Sequence, residues 1–224
     1  MLQIVAWRVP PYDNGCYLVI DGRREALVID PSMGERVVMD AVRERGLTLV
    51  EILDTHGHPD HVFGNAAVKE ATRARLAIHR LDAYRLGPRG RGPSSASAAG
   101  VSADDVSARP PVPFEVPPCE PDDLIEEGPL TYLADVELRA LHTPGHTEGS
   151  TCFYLPAEGV LFSGDVLFQG NVGRVDLPGG DPAAMERSLA RLAELPPETR
   201  VYPGHGPRTT IGAELRWLRS FRFA

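Results

Sequence analysis

Apolar and polar positions in the first third of the chain follow two different periods. Gln3 to Val9 and Cys16 to Ile20 are short runs rich in β-branched and aromatic residues and read as strands. Asp21-Gly22 is a hairpin signal leading into a third strand, Ala26 to Ile29. From Glu35 to Arg45 the apolar side chains recur every three or four positions, at Val38, Ala41 and Val42, with charges between them. That is the stripe of an amphipathic helix, and Gly46 ends it. Val50 to Leu53 predicts a short strand running directly into the segment T-H-G-H-P-D-H, residues 55 to 61, with a second helix near Val62 to Ala74. Functional groups at the C-terminal end of a strand, ahead of a helix, hold the usual position in α/β architectures.

Between Leu86 and Pro121 the pattern is lost. GPRGRGPSSASAAG and ARPPVPFEVPPCEP are dense in Pro, Gly, Ser and Ala and supply little core, so residues 86–121 read as a long insertion. Its two readings are a surface excursion and a lid over a site. Beyond it the pattern is mainly β. Strands are expected at Val136 to Leu141, Thr151 to Leu155, Val160 to Phe162 and Val201-Tyr202, with helices at Pro182 to Leu195 and Ile211 to Arg219. Strand-rich halves that each carry helices predict two packed sheets with helices outside, in a single domain spanning residues 1–224.

Composition narrows the function more than the fold. The chain has 224 residues, 31 acidic and 23 basic, for a net charge of -8. Such a balance repels a phosphate backbone, and Lys69 is the sole lysine, so nucleic acid is not an expected partner. No apolar run approaches the ~20 residues of a bilayer span, so no membrane association is expected. The first residues, MLQIVAWRVPPYDNG, lack the basic start of a signal peptide. Cys16, Cys119 and Cys152 are an odd, widely spaced set that suggests no disulfide framework. A cytoplasmic setting is the expectation.

Three of seven histidines fall in the segment at 55 to 61, as His56, His58 and His61, around Asp60. In an extended stretch the side chains at 56 and 58 share a side, and Pro59 constrains the turn after them. Imidazole nitrogen and carboxylate oxygen suit zinc, iron or manganese. Four donors in so short a segment exceed what one tetrahedral ion accepts with good geometry, which favours two ions and further donors elsewhere. T-P-G-H-T supplies His146, F-S-G-D-V supplies Asp165 and Y-P-G-H-G supplies His205, with Gly145, Gly164, Gly204 and Gly206 beside them. A structural zinc site is the bland alternative, but such sites are closed, four-coordinate and often rich in cysteine, which this set is not.

H-x-H-x-D-H followed by P-G-H, S-G-D and P-G-H-G resembles the metallo-β-lactamase superfamily in order and spacing, over nearly the whole chain. FSGDVLFQGNVGRVDLPGGD and PGHGPRTTIG are similar to the small bacterial hydrolases related to glyoxalase II. The resemblance implies an αββα sandwich with a binuclear metal site at one edge, most often zinc. It would place His56, His58 and His146 on one ion and Asp60, His61 and His205 on the other. Asp165 would bridge both together with a hydroxide, and Asp60 would have a catalytic part. The implied substrate is a small thioester such as S-lactoylglutathione.

Glyoxalase II proper carries a further glutathione-binding helical region. Only 19 residues follow His205 here, so glutathione specificity is not carried over. Ser32 also stands where a glycine is common, and LRWLRSFRFA replaces an Asn-Pro-Phe continuation. The closest rival is a mononuclear-iron persulfide dioxygenase, in which P-A-H-D-Y surrounds the last histidine where this chain has P-G-H-G-P. Lactone, phosphodiester and β-lactam hydrolysis, and a non-enzymatic binding module, complete the alternatives.

Other residues have two readings each. Asp30 orients a metal loop or caps a helix with Ser32. Arg174, with Asn171 in the same loop, grips a substrate carboxylate or pairs with Asp176. His79 and His142 sit in apolar surroundings that suggest core or supporting roles. Trp217, Phe221 and Phe223 suggest core or subunit contact.

Overall fold

The computed structural model describes residues 2–86 and 116–223. Twelve strands form two six-stranded sheets. The first runs β1 (Gln3–Val9), β2 (Asn14–Ile20), β3 (Glu25–Ile29), β4 (Thr48–Asp54), β5 (Arg75–His79), β6 (Asp123–Ile125) in spatial order. Its first three strands are antiparallel, and β3 to β6 are parallel. The second runs β12 (Thr209–Thr210), β11 (Arg200–Pro203), β10 (Val160–Gly164), β9 (Thr151–Leu155), β8 (Leu138–His142), β7 (Gly128–Leu130). Only its β10–β11 pair is parallel. The helices are α1 (Glu35–Arg45), α2 (Pro59–Val62), α3 (Asn65–Thr72), α4 (Pro182–Leu192) and α5 (Ile211–Leu218).

Alternation along the strands builds three apolar layers. Tyr17, Val19, Leu27, Ile29 and Leu53 of the first sheet meet Phe153, Leu155, Phe162 and Tyr202 of the second. On the outer face of the first sheet, Leu18, Val28, Ile52 and Leu76 pack with Val38 of α1 and Val68 of α3. On the outer face of the second, Cys152, Leu161 and Val201 pack with Met185, Leu189 and Leu192 of α4 and Leu218 of α5. The fold is an αββα sandwich. Strands covered on both faces are apolar throughout, which is why all seven residues of β2 are buried.

Several expectations need correction. The helix expected over Val62 to Ala74 is two helices, broken at Phe63-Gly64. A side chain at Gly64 would stand 2.6 Å from the Ser32 carbonyl, so the chain there is pressed against the loop leading to α1. β5 follows at once, three residues of it fully buried, and no strand was expected there. The helix starting at Pro182 ends at Leu192 rather than Leu195, and the strand expected at Val136 begins at Leu138. Most of the 86–121 insertion, and with it the lid reading, lies outside the described residues. Its two ends are joined, Cys119 N donating to Leu86 O at 3.0 Å, and β6 begins at Asp123. Among the described residues no helix is long and apolar enough to cross a membrane.

Parallel strands β3, β4 and β5 of one sheet and β10 and β11 of the other all end on the same edge of the sandwich. The candidate donors follow those ends.

Candidate metal centre

β4 ends at Asp54, and the chain bends at Thr55 and His56 and passes through Gly57 and His58 before Pro59 opens α2. Proline tolerates the first helical position but disfavours helix in the residue before it, so His58 stays extended (φ −72°, ψ 145°) while Asp60 and His61 enter the helical turn. His146 sits in the loop after β8, Asp165 directly follows β10, and His205 follows β11.

The structure brings all seven sequence-picked donors together, in two groups. In the first, His56 Nε2 lies 3.1 Å from His58 Nδ1, and His146 Nε2 lies 3.2 Å and 2.8 Å from those two atoms. In the second, His61 Nε2 is 3.3 Å from His205 Nε2, and Asp60 Oδ2 is 3.6 Å and 3.3 Å from them. Asp165 lies between the groups. Its Oδ2 is 3.4 Å from His146 Nε2 and 3.4 Å from His205 Nε2, and its Oδ1 is 3.4 Å from His61 Nε2. Asp60 and His205 form the open side, at 24% and 26% side-chain exposure, and the other five donors are buried.

Four imidazoles are fixed through Nδ1. His61 Nδ1 donates to Asp30 Oδ2 at 2.9 Å, His146 Nδ1 to Arg174 O at 2.7 Å, and His205 Nδ1 to Tyr12 O at 2.9 Å. The Thr55 hydroxyl gives its own proton to Asp30 Oδ2, so its oxygen accepts from His56 Nδ1 at 3.1 Å. Acceptors at Nδ1 leave Nε2 as a bare lone pair. His56 and His146 therefore aim lone pairs at one another, which is repulsive without a proton or cation between them. Asp165 Oδ1 and His58 Nε2 are buried with no hydrogen-bond partner. The glycine turns keep the space closed: a Cβ at Gly204 would run into Asp165 Oδ1. The donor set fits cations, in three clusters: His56, His58, His146; His56, His61, Asp165; and Asp60, His61, His205.

Electrostatics differ between the two groups. Burial and the surrounding imidazoles hold His56 well below the usual histidine range, and burial with His146 lowers His58 to about 3. These are neutral ligands ready for a cation. Burial opposes charge on His61 and His205 as well, but the carboxylates of Asp165 and Asp60 outweigh it, raising His61 to about 9 and His205 to about 11. Burial alone would raise Asp60 and Asp165. His61 and His205 outweigh it and hold both carboxyls well below the usual range. The second group thus attracts positive charge, and a metal entering it displaces protons.

Of the residues with two readings, Asp30 takes the orienting one. Its carboxylate accepts from Thr55 N and Thr55 Oγ1, both at 2.7 Å, as well as from His61, and it caps no helix. Ser32 holds a positive φ of 55°, a conformation that favours glycine, and donates its backbone N–H to His61 O. Arg174 grips Asp176 with both forks at 2.7 Å, and Asn171 accepts from Val172 N; both side chains are exposed. His79 and His142 stack at 4.1 Å across the sheets, with His142 Nε2 donating to Glu148 O. Trp217, Phe221 and Phe223 meet one another edge to face, Trp217 on Phe221 and Phe221 on Phe223, and lie partly buried against the outer layer of the second sheet. Sequence reasoning missed Asn14, whose Nδ2 donates to Asp60 Oδ2 at 3.0 Å, and Asp82, which binds the loops of both sheets. Asp82 had one legible signal, a carboxylate just beyond the end of a parallel strand.

An αββα sandwich with a histidine and aspartate cluster where its parallel strands end defines a metallo-hydrolase class of protein. The chain belongs to the metallo-beta-lactamase superfamily, whose defining pattern matches residues 10–205. The BLEG-1 B3 metallo-beta-lactamase structure is 32% identical with a TM-score of 0.81, covering 96% of this chain and 97% of that one. The structure of TTHA1623 in a di-iron-bound form is 38% identical with a TM-score of 0.75, covering 95% and 97%. The hydroxyacylglutathione hydrolase of Cereibacter sphaeroides is 36% identical over 195 residues, 86% of this chain and 62% of that protein.

Proposed function

We propose that the chain is a binuclear metallohydrolase that cleaves a small thioester. The observation carrying this reading is the position of Asp165, whose Oδ2 is equally distant from one nitrogen of each donor group. A carboxylate so placed joins two cation sites rather than serving one. His56, His58 and His146 would hold one ion, Asp60, His61 and His205 the other, with Asp165 between; zinc, iron and manganese all suit these donors. When bound, the cations supply Lewis acidity toward a carbonyl and acidify water in the site.

The chain's own residues do the rest. The Nδ1 acceptors fix His56, His61, His146 and His205, so that these four need no reorientation during reaction. Asp60, on the open side, steadied by Asn14 and held ionised, is the carboxylate best placed to accept a hydrogen bond from attacking water and orient it. Water gives its hydroxyl to the acyl carbon and a proton to the departing thiol, producing an acid and a thiol. Arg174 and Asn171, on the loop after Asp165, are the substrate-side contacts. A cysteine nucleophile is not part of the scheme. Cys16, Cys119 and Cys152 are all buried, and burial pushes their thiols up, Cys152 to about 12. The thioester class is supported by the relative named hydroxyacylglutathione hydrolase.

The test is metal analysis of the purified protein with a panel of S-lactoylglutathione, lactone, phosphodiester, β-lactam and glutathione persulfide substrates. Two ions per chain, with thioester turnover abolished by chelation and restored by zinc, is the expected result. One iron per chain with oxygen consumption on the persulfide overturns the proposal in favour of a dioxygenase. Faster turnover of the lactone, phosphodiester or β-lactam than of the thioester reassigns the substrate class.

A further inference from the structure

We propose that Asp82 is a positioning residue that sets the strength of the first donor group, an inference that rests on the two-site reading above. Asp82 lies three residues past the end of β5 and is fully buried. Its Oδ2 accepts from Gly57 N and from Thr147 Oγ1, both at 2.8 Å. Its Oδ1 accepts from Gly149 N at 2.9 Å and faces Arg85 Nε at 3.4 Å. Gly57 stands between His56 and His58, and Thr147 follows His146. One carboxylate therefore fastens the loop after β4 to the loop after β8, joining the two sheets at the three ligands of a single site.

Packing shows that this junction has little slack. A Cβ at Gly57 would stand 2.6 Å from Arg85 Cδ, and one at Gly149 2.7 Å from Asp82 Cγ. Arg85, itself buried, continues outward to Glu148 Oε2 at 2.7 Å and Pro178 O at 3.2 Å. Its charge offsets that of the buried carboxylate. An aspartate is needed because four donors converge on it. Asparagine offers one oxygen, and its NH2 would face donors on the other side. The second donor group is held by different contacts, from Asp30 to His61, Asn14 to Asp60 and Tyr12 O to His205, none of which involves Asp82.

D82N is therefore expected to weaken one of the two sites selectively, by about 10–100-fold, the usual effect of removing a partner that orients ligands. Zinc titration against a chelator measures both affinities. Cobalt loading identifies the site, because paramagnetically shifted imidazole N–H signals number three for His56, His58 and His146 and two for His61 and His205. The set of three should vanish at cobalt concentrations where the set of two persists. T147V removes the hydroxyl that donates to Asp82 Oδ2 and accepts from Ser150 Oγ. It leaves the Asp82 carboxylate in place, should show the same selectivity at about two- to tenfold, and decides the matter if D82N does not fold. A general loosening of the fold would weaken both sites together, so equal loss at both, or no loss, overturns the assignment. A wild-type chain that binds only one ion is a different result, and it overturns the two-site reading itself.

Discussion

His61 donates its Nδ1 proton to Asp30 at 2.9 Å, and neither side chain is more than 2% exposed. The same carboxylate receives the Thr55 hydroxyl, which in turn accepts from His56. Asp30 thus steadies a ligand in each donor group, unlike Asp82. D30N should weaken binding of both ions, each by about 10–100-fold. Zinc titration of the purified variant checks this, and two unchanged affinities would refute it.

Gly204 tests the centre by volume rather than by charge. A methyl group there would strike Asp165 Oδ1 and come within 2.9 Å of His61 Cε1. The backbone at 204 holds no positive φ, so alanine brings no conformational strain of its own. G204A should fold with its sheets intact yet lose at least about 100-fold in turnover, because displacement of a ligand by about 1 Å has that effect. Circular dichroism and steady-state rates separate the two. Full activity in G204A would mean that Asp165 and His61 are not where the chemistry occurs.

The donors were legible because rare residue types stand beside glycine and proline turns, and the central strands because runs buried on both faces, such as Cys16 to Ile20, are apolar throughout. The edge strands β6 and β7 were not, although β1, also at an edge, was; the buried β5 inside the first sheet went unread as well. Asp123–Ile125 and Gly128–Leu130 are three residues each, too short to show a period, and both lie in acidic, proline-bearing sequence. Asp82 and Asn14 escaped for a different reason. Each is one common polar residue whose contacts with the ligand-bearing loops span 25 to 67 positions, so only the folded chain reveals what it holds.

Arg174 divides its roles between side chain and backbone. Its carbonyl orients His146, while its guanidinium lies against Asp176, outside the donor cluster. R174A keeps the carbonyl, so metal content should be unchanged, and loss of an exposed pair should alter stability by less than about 1 kcal/mol. With a carboxylate-bearing thioester, KM should rise about three- to tenfold at nearly constant kcat, the signature of lost uniform binding. D176N, which removes the charge that Arg174 faces in this pair, should not raise KM. An unchanged KM in R174A removes Arg174 from substrate recognition.

Glu51 makes stability depend on pH through a group remote from the donors. It lies on β4, 1% exposed, with Oε1 buried and unpartnered. Burial, reinforced by the negative charge of Asp123, raises its carboxyl to about 8; Arg75 opposes this but is engaged by Asp123 at 2.7 Å and 2.9 Å. The unfolded chain releases this proton near 4.5, so between that value and about 8 the folded state binds more protons than the unfolded one. Stability from this group is therefore full below about 4.5 and is lost as pH rises through about 8. E51Q is uncharged throughout and lacks the slope. In urea melts at pH 5.5 and 8.5, the wild-type midpoint should fall more than that of E51Q, so the variant gains relative stability at the higher pH. Comparing the two proteins cancels the pH dependence of the metal ligands, which both share. Parallel profiles for wild type and E51Q would show that Glu51 is already ionised in the folded protein.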